Sequence, residues 1–277
     1  MKDMPSIKPE RVYLPTMTTI DTDIDQNIAH ITLNRPDVLN ALNAQMAVDM
    51  NASLAALADD DAVRCVVLSG AGEGFMAGGD IGFFKRSLPE LSRGETQKLE
   101  PLFDDVHGIV RHLRTMRKPV LASVHGAVAG FGVSLMAACD LVVAAENTVF
   151  TLAYCHLGTC PDGGSTYALP RMMGLKQAME LALLGERFDA GRARSLGLVN
   201  WVVPETARED KTSELAARLA AGPSFAYGHT KSLLNRSLES GLEEQLEAER
   251  DSFIECATTP DFAEGVNAFL AKRKPQF

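Results

Sequence analysis

Three short apolar runs constrain this chain more than any other feature: "RCVVLSG" (64–70), "PVLASVHG" (119–126) and "LVVAAE" (141–146). Each is of strand length and apolar without alternation, and such runs suit strands covered on both faces. A sheet covered on both faces needs helices around it. The intervening segments supply them. "NRPDVLNALN" (34–43) is turn chemistry that leads into a helical pattern ending near Ala58, and residues 96–117 carry a second helical pattern. "IAHITL" (28–33) adds a further short strand, and "AGFGVSLMAACD" (129–140) reads as a short helix opened by glycine. From about Trp201 the pattern turns helical, over 209–221, 225–237, 241–256 and 261–273. The expectation is an α/β fold with helices on the sheet faces. Residues 1–20 read as an N-terminal arm, 21–205 as the core and 206–277 as a helical C-terminal region.

Composition narrows the function classes. The formal net charge is −9 over 277 residues, whereas a nucleic-acid binder needs a basic face. No run of 18 apolar residues exists, so no transmembrane span is expected. The start, "MKDMPSIKPERVY", lacks an apolar core of the secretory type. Cys65, Cys139, Cys155, Cys160 and Cys256 fall in no metal-ligand spacing and read as reduced thiols. A cytoplasmic protein without a bound metal is the expectation.

Two loops rich in small residues, "GFMAGGD" and "AVAGFGVSL", each follow a buried strand. Neither fits a phosphate-binding fingerprint. The second opens a helix near 130–132, and a helix start presents amide N–H groups without partners and a partial positive charge. One N–H from each loop could converge on a single oxygen and stabilise an oxyanion or enolate. Losing one such donor costs roughly 3–4 kcal/mol of barrier. "CPDGGSTYALPR" (160–171) places Asp162 between a proline and two glycines. That is turn chemistry, and it also suits a carboxylate held at the tip of a rigid loop.

Taken together and in order, "NRPDVLNALN", "GFMAGGDI", "KPVLASVHGAVAGFGVSL", "ACDLVVAAENTVFTL" and "LGTCPDGGSTYALPRMMG" resemble the enoyl-CoA hydratase/isomerase (crotonase) superfamily. The resemblance implies a spiral of ββα turns followed by a helical trimerisation region. It implies an acyl-CoA thioester as partner, coenzyme A entering as part of the substrate, and a homotrimer or dimer of trimers. It places the two oxyanion-hole amides on Gly79 and Phe131, and implies that Leu39, Ala41, Ala77, Asp80, Ile81 and Ser134 line the substrate channel. The phenyl group of Phe131, where many relatives have glycine, could reshape the acyl pocket.

Hydratases of this family carry two glutamates, and the matching positions here hold Ser134 and Tyr154. A two-glutamate hydration mechanism is therefore not expected. Family isomerases often carry an aspartate in the later turn, which makes Asp162 the candidate base, with Tyr154 as a hydrogen-bonding neighbour. A second reading follows from similarity to the 4-chlorobenzoyl-CoA dehalogenase branch. There Asp162 would be the nucleophile and His107 the base. A hydratase with non-standard acid/base groups and an inactive acyl-CoA-binding protein are further alternatives.

Overall fold

A computed structural model describes residues 17–277. The first 16 residues of the expected arm lie outside the described residues. Met17–Thr19 lead directly into the first strand, and the Asp49 carboxylate accepts from the Thr18 and Thr19 amides, each at 3.2 Å.

In chain order the elements are β1 (Ile20–Asp25), β2 (Ile28–Leu33), α1 (Ala44–Asp59), β3 (Cys65–Gly70), β4 (Gly74–Met76), α2 (Ile81–Leu91), α3 (Glu100–Thr115), β5 (Val120–Val124), β6 (Ala127–Ala129) and α4 (Phe131–Ala138). They continue with β7 (Leu141–Ala145), β8 (Val149–Thr151), α5 (Ser165–Met173), α6 (Leu175–Leu184), β9 (Phe188–Asp189), α7 (Ala190–Ser195), β10 (Trp201–Val203), α8 (Arg208–Ala220), α9 (Ser224–Arg236), α10 (Leu242–Ala257) and α11 (Pro260–Leu270).

The strands form two sheets. One has the order β1-β2-β3-β5-β7-β10, and the other β4-β6-β8-β9. Each of the pairs β3/β4, β5/β6 and β7/β8 sends its first strand to the large sheet and its second to the small one. A helix follows each pair, so the chain winds as a spiral of ββα turns and ends in helices. The three apolar runs are the central strands β3, β5 and β7. In β3, Cys65 and Val67 face α8, where they pack with Leu215, Ala216 and Ala220. The alternate residues Val66 and Leu68 face the main core beside Met46, Met50 and Leu54 of α1. Burial on both faces is why the run shows no alternation.

Several expectations need correction. The glycine-rich segment 71–80 contains strand β4, which pairs with β6 through Gly74 and Ala127. Residues 201–203 are β10, parallel to β7, and lie within the expected core of 21–205. Residues 81–91 form α2, a helix not expected from the sequence; among its residues only Ser87 is buried. No described helix is long and apolar enough to cross a membrane.

Candidate active site

The site begins with a close approach of two backbones. A Cβ on Gly78 would lie 3.2 Å from the Ala129 carbonyl oxygen and 3.5 Å from the Gly130 Cα. Only glycine lets the two loops meet so closely. Gly79 forms a parallel bridge to Leu42 in which its neighbours make the bonds: Leu42 donates to Gly78 and Asp80 donates to the Leu42 carbonyl. The Gly79 N–H therefore points to the opposite side. It has no hydrogen-bond partner among the described residues. One residue beyond the other contact, Gly130 donates to Thr151, and Phe131 opens α4 as its first residue. The Phe131 N–H has no intrahelical acceptor and none elsewhere among the described residues. The loops thus leave two free amides, from Gly79 and Phe131, on either side of one contact.

The Phe131 ring does not enter that space. The residue is 3% exposed, and a Cβ on Gly163 would lie 2.5 Å from its Cε2 atom. The ring is the floor on which the Asp162 turn rests. The expected reshaping of the acyl pocket by this phenyl group gives way to support of the turn.

Asp162 is half-buried, and one oxygen of its carboxylate accepts from the Tyr154 hydroxyl at 2.5 Å. Its backbone carbonyl accepts from Ser134 Oγ at 2.8 Å and from Ser165 Oγ at 2.9 Å. Side chain and main chain are therefore both clamped. Burial pushes the Asp162 carboxyl above its ordinary range; the Tyr154 hydroxyl and the nearby His107 pull it down without cancelling that rise. Burial and then the Asp162 charge push the Tyr154 phenol upward, so it stays protonated and acts as a donor. Among the titratable groups acting on Asp162 there is no second carboxylate.

The other predicted residues fall into two groups. Leu39, Ala41, Ala77, Asp80 and Ile81 form one connected ledge beside Gly79. Ala77 donates to the Leu39 carbonyl at 2.9 Å, and Arg35 bridges the Ala41 carbonyl and the Asp80 carboxylate. Asp80 also caps α2 by accepting from the Phe83 amide at 3.1 Å. Burial opposes its charge, yet the Arg35 and Phe83 hydrogen bonds outweigh burial and hold the carboxyl below its ordinary range. Asp80 is thus a cap and an ion-pair partner. Ser134 is 1% exposed and donates to Asp162, so its hydroxyl is a clamp on the turn. His107 is exposed on α3, with its ring centroid 6.1 Å from that of Phe103, and hydrogen-bonds to nothing among the described residues. Sequence reading missed Asn40 and Ser165. The buried Asn40 side chain donates to the Ala71 and Gly74 carbonyls and accepts from the Arg35 amide, which stitches the ledge to β4.

Comparison with known proteins decides what this geometry belongs to. A family model described as enoyl-CoA hydratase/isomerase matches residues 23–277. The chain belongs to the enoyl-CoA hydratase/isomerase family. The 1,2-epoxyphenylacetyl-CoA isomerase of Escherichia coli (strain K12) is 37% identical over 94% of this chain and 98% of its own length. The crotonyl-CoA hydratase of Syntrophomonas wolfei is 32% identical over 91% of this chain and 95% of its own length. The crystal structure of an enoyl-CoA hydratase from Polaromonas sp. JS666 superposes with a TM-score of 0.87 at 35% identity, covering 93% of this chain and 98% of that one. The family processes acyl-CoA thioesters, and its named relatives include both hydratases and isomerases.

Proposed function

We propose that the chain is a double-bond isomerase of acyl-CoA thioesters with Asp162 as its single base. The observation that carries this is the solitary carboxylate: Asp162 is clamped at both ends, and the hydratase glutamate positions hold Ser134 and Tyr154. The thioester oxygen sits between the Gly79 and Phe131 amides. Withdrawal of charge onto that oxygen acidifies the α-carbon. Asp162 removes a proton from C2 of a 3-enoyl thioester, giving a dienolate whose negative charge the two amides hold. The same carboxyl returns the proton at C4, and the double bond moves into conjugation with the carbonyl. No atom is gained or lost and no cofactor is consumed; coenzyme A is part of the substrate. A carboxyl with a raised pKa is a stronger base than an ordinary aspartate, and such proton transfer contributes roughly 10²–10⁴-fold.

Hydration would need a second group to manage water; among the described residues no second carboxylate acts on Asp162, and Asp80 is committed to Arg35 and the Phe83 amide. The dehalogenase-type reading has less support, because His107 is exposed and bonds neither Asp162 nor any other described residue. The expected self-association is supported by the apolar surface on the last helices, where Phe269 is 83% and Leu270 74% exposed. The test is turnover of a 3-enoyl-CoA against hydration of crotonyl-CoA. Isomerisation that Asp162→Asn abolishes supports the proposal; hydration retained by Asp162→Asn refutes it.

A further inference from the structure

The backbone is strained just beside the Gly79 amide. Leu39 and Asn40 are consecutive left-handed residues, with φ of +50° and +56°. That conformation is unfavourable for a residue with a Cβ, more so for leucine than for asparagine. It persists only where the surroundings impose it, and such strain gathers at functional sites. Apolar packing does little of the imposing here. The short 3-10 turn Pro36–Val38 buries nothing, and Val38 and Leu39 are exposed. From Arg35 to Ala41 only Asn40 is buried.

The kinked segment is what turns the Gly79 N–H outward. The Leu39 carbonyl accepts from Ala77 at 2.9 Å, Leu42 donates to Gly78 at 2.7 Å, and the Leu42 carbonyl accepts from Asp80 at 2.8 Å. These bonds flank Gly79 on both sides and leave its own amide free. The Asn40 carboxamide holds the segment in turn. It is 0% exposed, donates to the Ala71 and Gly74 carbonyls at 2.9 Å each, and accepts from the Arg35 amide at 2.8 Å. Both of its donor hydrogens and its oxygen are used, so only one orientation satisfies the site. Gly74 opens β4, the strand that runs on into the Gly79 loop. Arg35 reaches forward to the Ala41 carbonyl and the Asp80 carboxylate. One side chain thus ties together every piece of backbone around Gly79. The Phe131 amide needs no such device, because it opens α4, a helix whose 8 residues are all buried.

We propose that Asn40 is the positioning residue for the Gly79 amide: its carboxamide locks the left-handed turn at 39–40, and that turn holds one of the two amides on the thioester oxygen. Asn40 touches no reacting atom and acts through Gly79. The inference rests on the proposed function only in placing the thioester oxygen between Gly79 and Phe131. A misplacement of about 1 Å costs on the order of 10²-fold in rate. The loss falls on the oxyanion more than on the neutral carbonyl, because a hydrogen bond to a charged acceptor is the stronger one.

The test uses acetoacetyl-CoA, whose enolate is followed by its ultraviolet absorbance, and butyryl-CoA, a neutral thioester of equal length. On the unaltered protein, bound acetoacetyl-CoA should ionise at a pH about one unit or more below that of the free compound. Asn40→Gly removes the carboxamide and keeps the left-handed backbone accessible. It should raise that midpoint by about one to two units, a ten- to hundredfold loss of enolate stabilisation, while butyryl-CoA affinity by calorimetry changes less than about threefold. A merely structural role would weaken both ligands in parallel. Asn40→Ser keeps one hydrogen-bonding group and should shift the midpoint the same way by less; it carries the test if thermal unfolding shows that Asn40→Gly does not fold. Asp162→Asn should abolish isomerisation and leave the effect of Asn40→Gly intact, so the two readings fail separately. A compound that ionises no more readily when bound would overturn the two-amide site and the role of Asn40 with it. A midpoint unmoved in the folded Asn40 variant, or a parallel loss of both ligands, would overturn the role of Asn40 alone.

Discussion

Gly163→Ala is the substitution that most sharply probes how the proposed base, Asp162, is held. Gly163 has φ of +58°, and its missing Cβ would stand 2.5 Å and 2.6 Å from two ring atoms of Phe131 and 3.0 Å from the Ser134 Cβ. Two costs add. A left-handed backbone at a residue with a Cβ costs roughly 1–2 kcal/mol. Forcing a methyl group into packed side chains costs about 1–3 kcal/mol. The expected loss is therefore about 2–5 kcal/mol, read as a lower denaturant midpoint with an unchanged slope. Gly164 supplies the internal control. Its φ is +79°, but a Cβ there would meet only Val110 Cγ1 at an ordinary 3.5 Å. Gly164→Ala should thus show the backbone cost alone, roughly 1–2 kcal/mol. Isomerase kcat should separate the two variants further, because only the first pushes on the residue next to Asp162. Shrinking the floor with Phe131→Leu should recover the packing part in Gly163→Ala and leave the backbone part. Equal stability losses at the two glycines, or full activity in Gly163→Ala, would refute the view that the Phe131 ring sets the position of the turn.

Two further outcomes follow from contacts elsewhere. Tyr154→Phe removes a hydrogen bond that lowers the Asp162 pKa, so that pKa should rise further from its already raised position. As the proposed base, Asp162 works when ionised; the acid limb of kcat/KM should move to higher pH, and a limb that stays or moves down would sink the assignment. Lys231, whose side chain is largely covered, and Asp140, whose side chain keeps a quarter of its surface, form a pair at 2.7 Å that ties α9 to the start of β7, with desolvation opposing the charge on both. Lys231→Met leaves Asp140 with the Val120 amide and with water on its open side, so it should cost about 1.5–3 kcal/mol by denaturant titration, the range for a hydrogen bond to a charged group, and joint replacement with Asp140→Asn should cost less.

What the sequence disclosed follows the physics of burial. β3, β5 and β7 were legible because both faces are covered, which removes every polar interruption. β1 was not: "IDTDID" buries only Ile20, and its pairing with β2 depends on a two-residue turn, Gln26–Asn27, with φ of +48° and +64°. β4, β6 and β8 are three residues each, and long-range partners define them more than their own composition. A helix start and a glycine loop are legible as possible amide donors, but their assignment to Gly79 and Phe131 comes only from the family resemblance; Asp162 is legible as an acid in a rigid turn. The clamp around it was not. Tyr154 reaches Asp162 only because Ala153 takes a left-handed φ of +53° ahead of a short 3-10 turn, and Ser134 reaches it across 28 residues. Spacing along a chain carries no record of either contact.

The central claim is that one carboxyl, Asp162, both removes and returns the proton. It is tested most directly with a 3-enoyl-CoA deuterated at C2, followed by NMR in ordinary water during early turnover. The account predicts deuterium at C4 of the 2-enoyl product at levels well above solvent exchange, and loss of the transfer in Asp162→Asn. Product formed at an undiminished rate by Asp162→Asn, with the label still moving to C4, would contradict it.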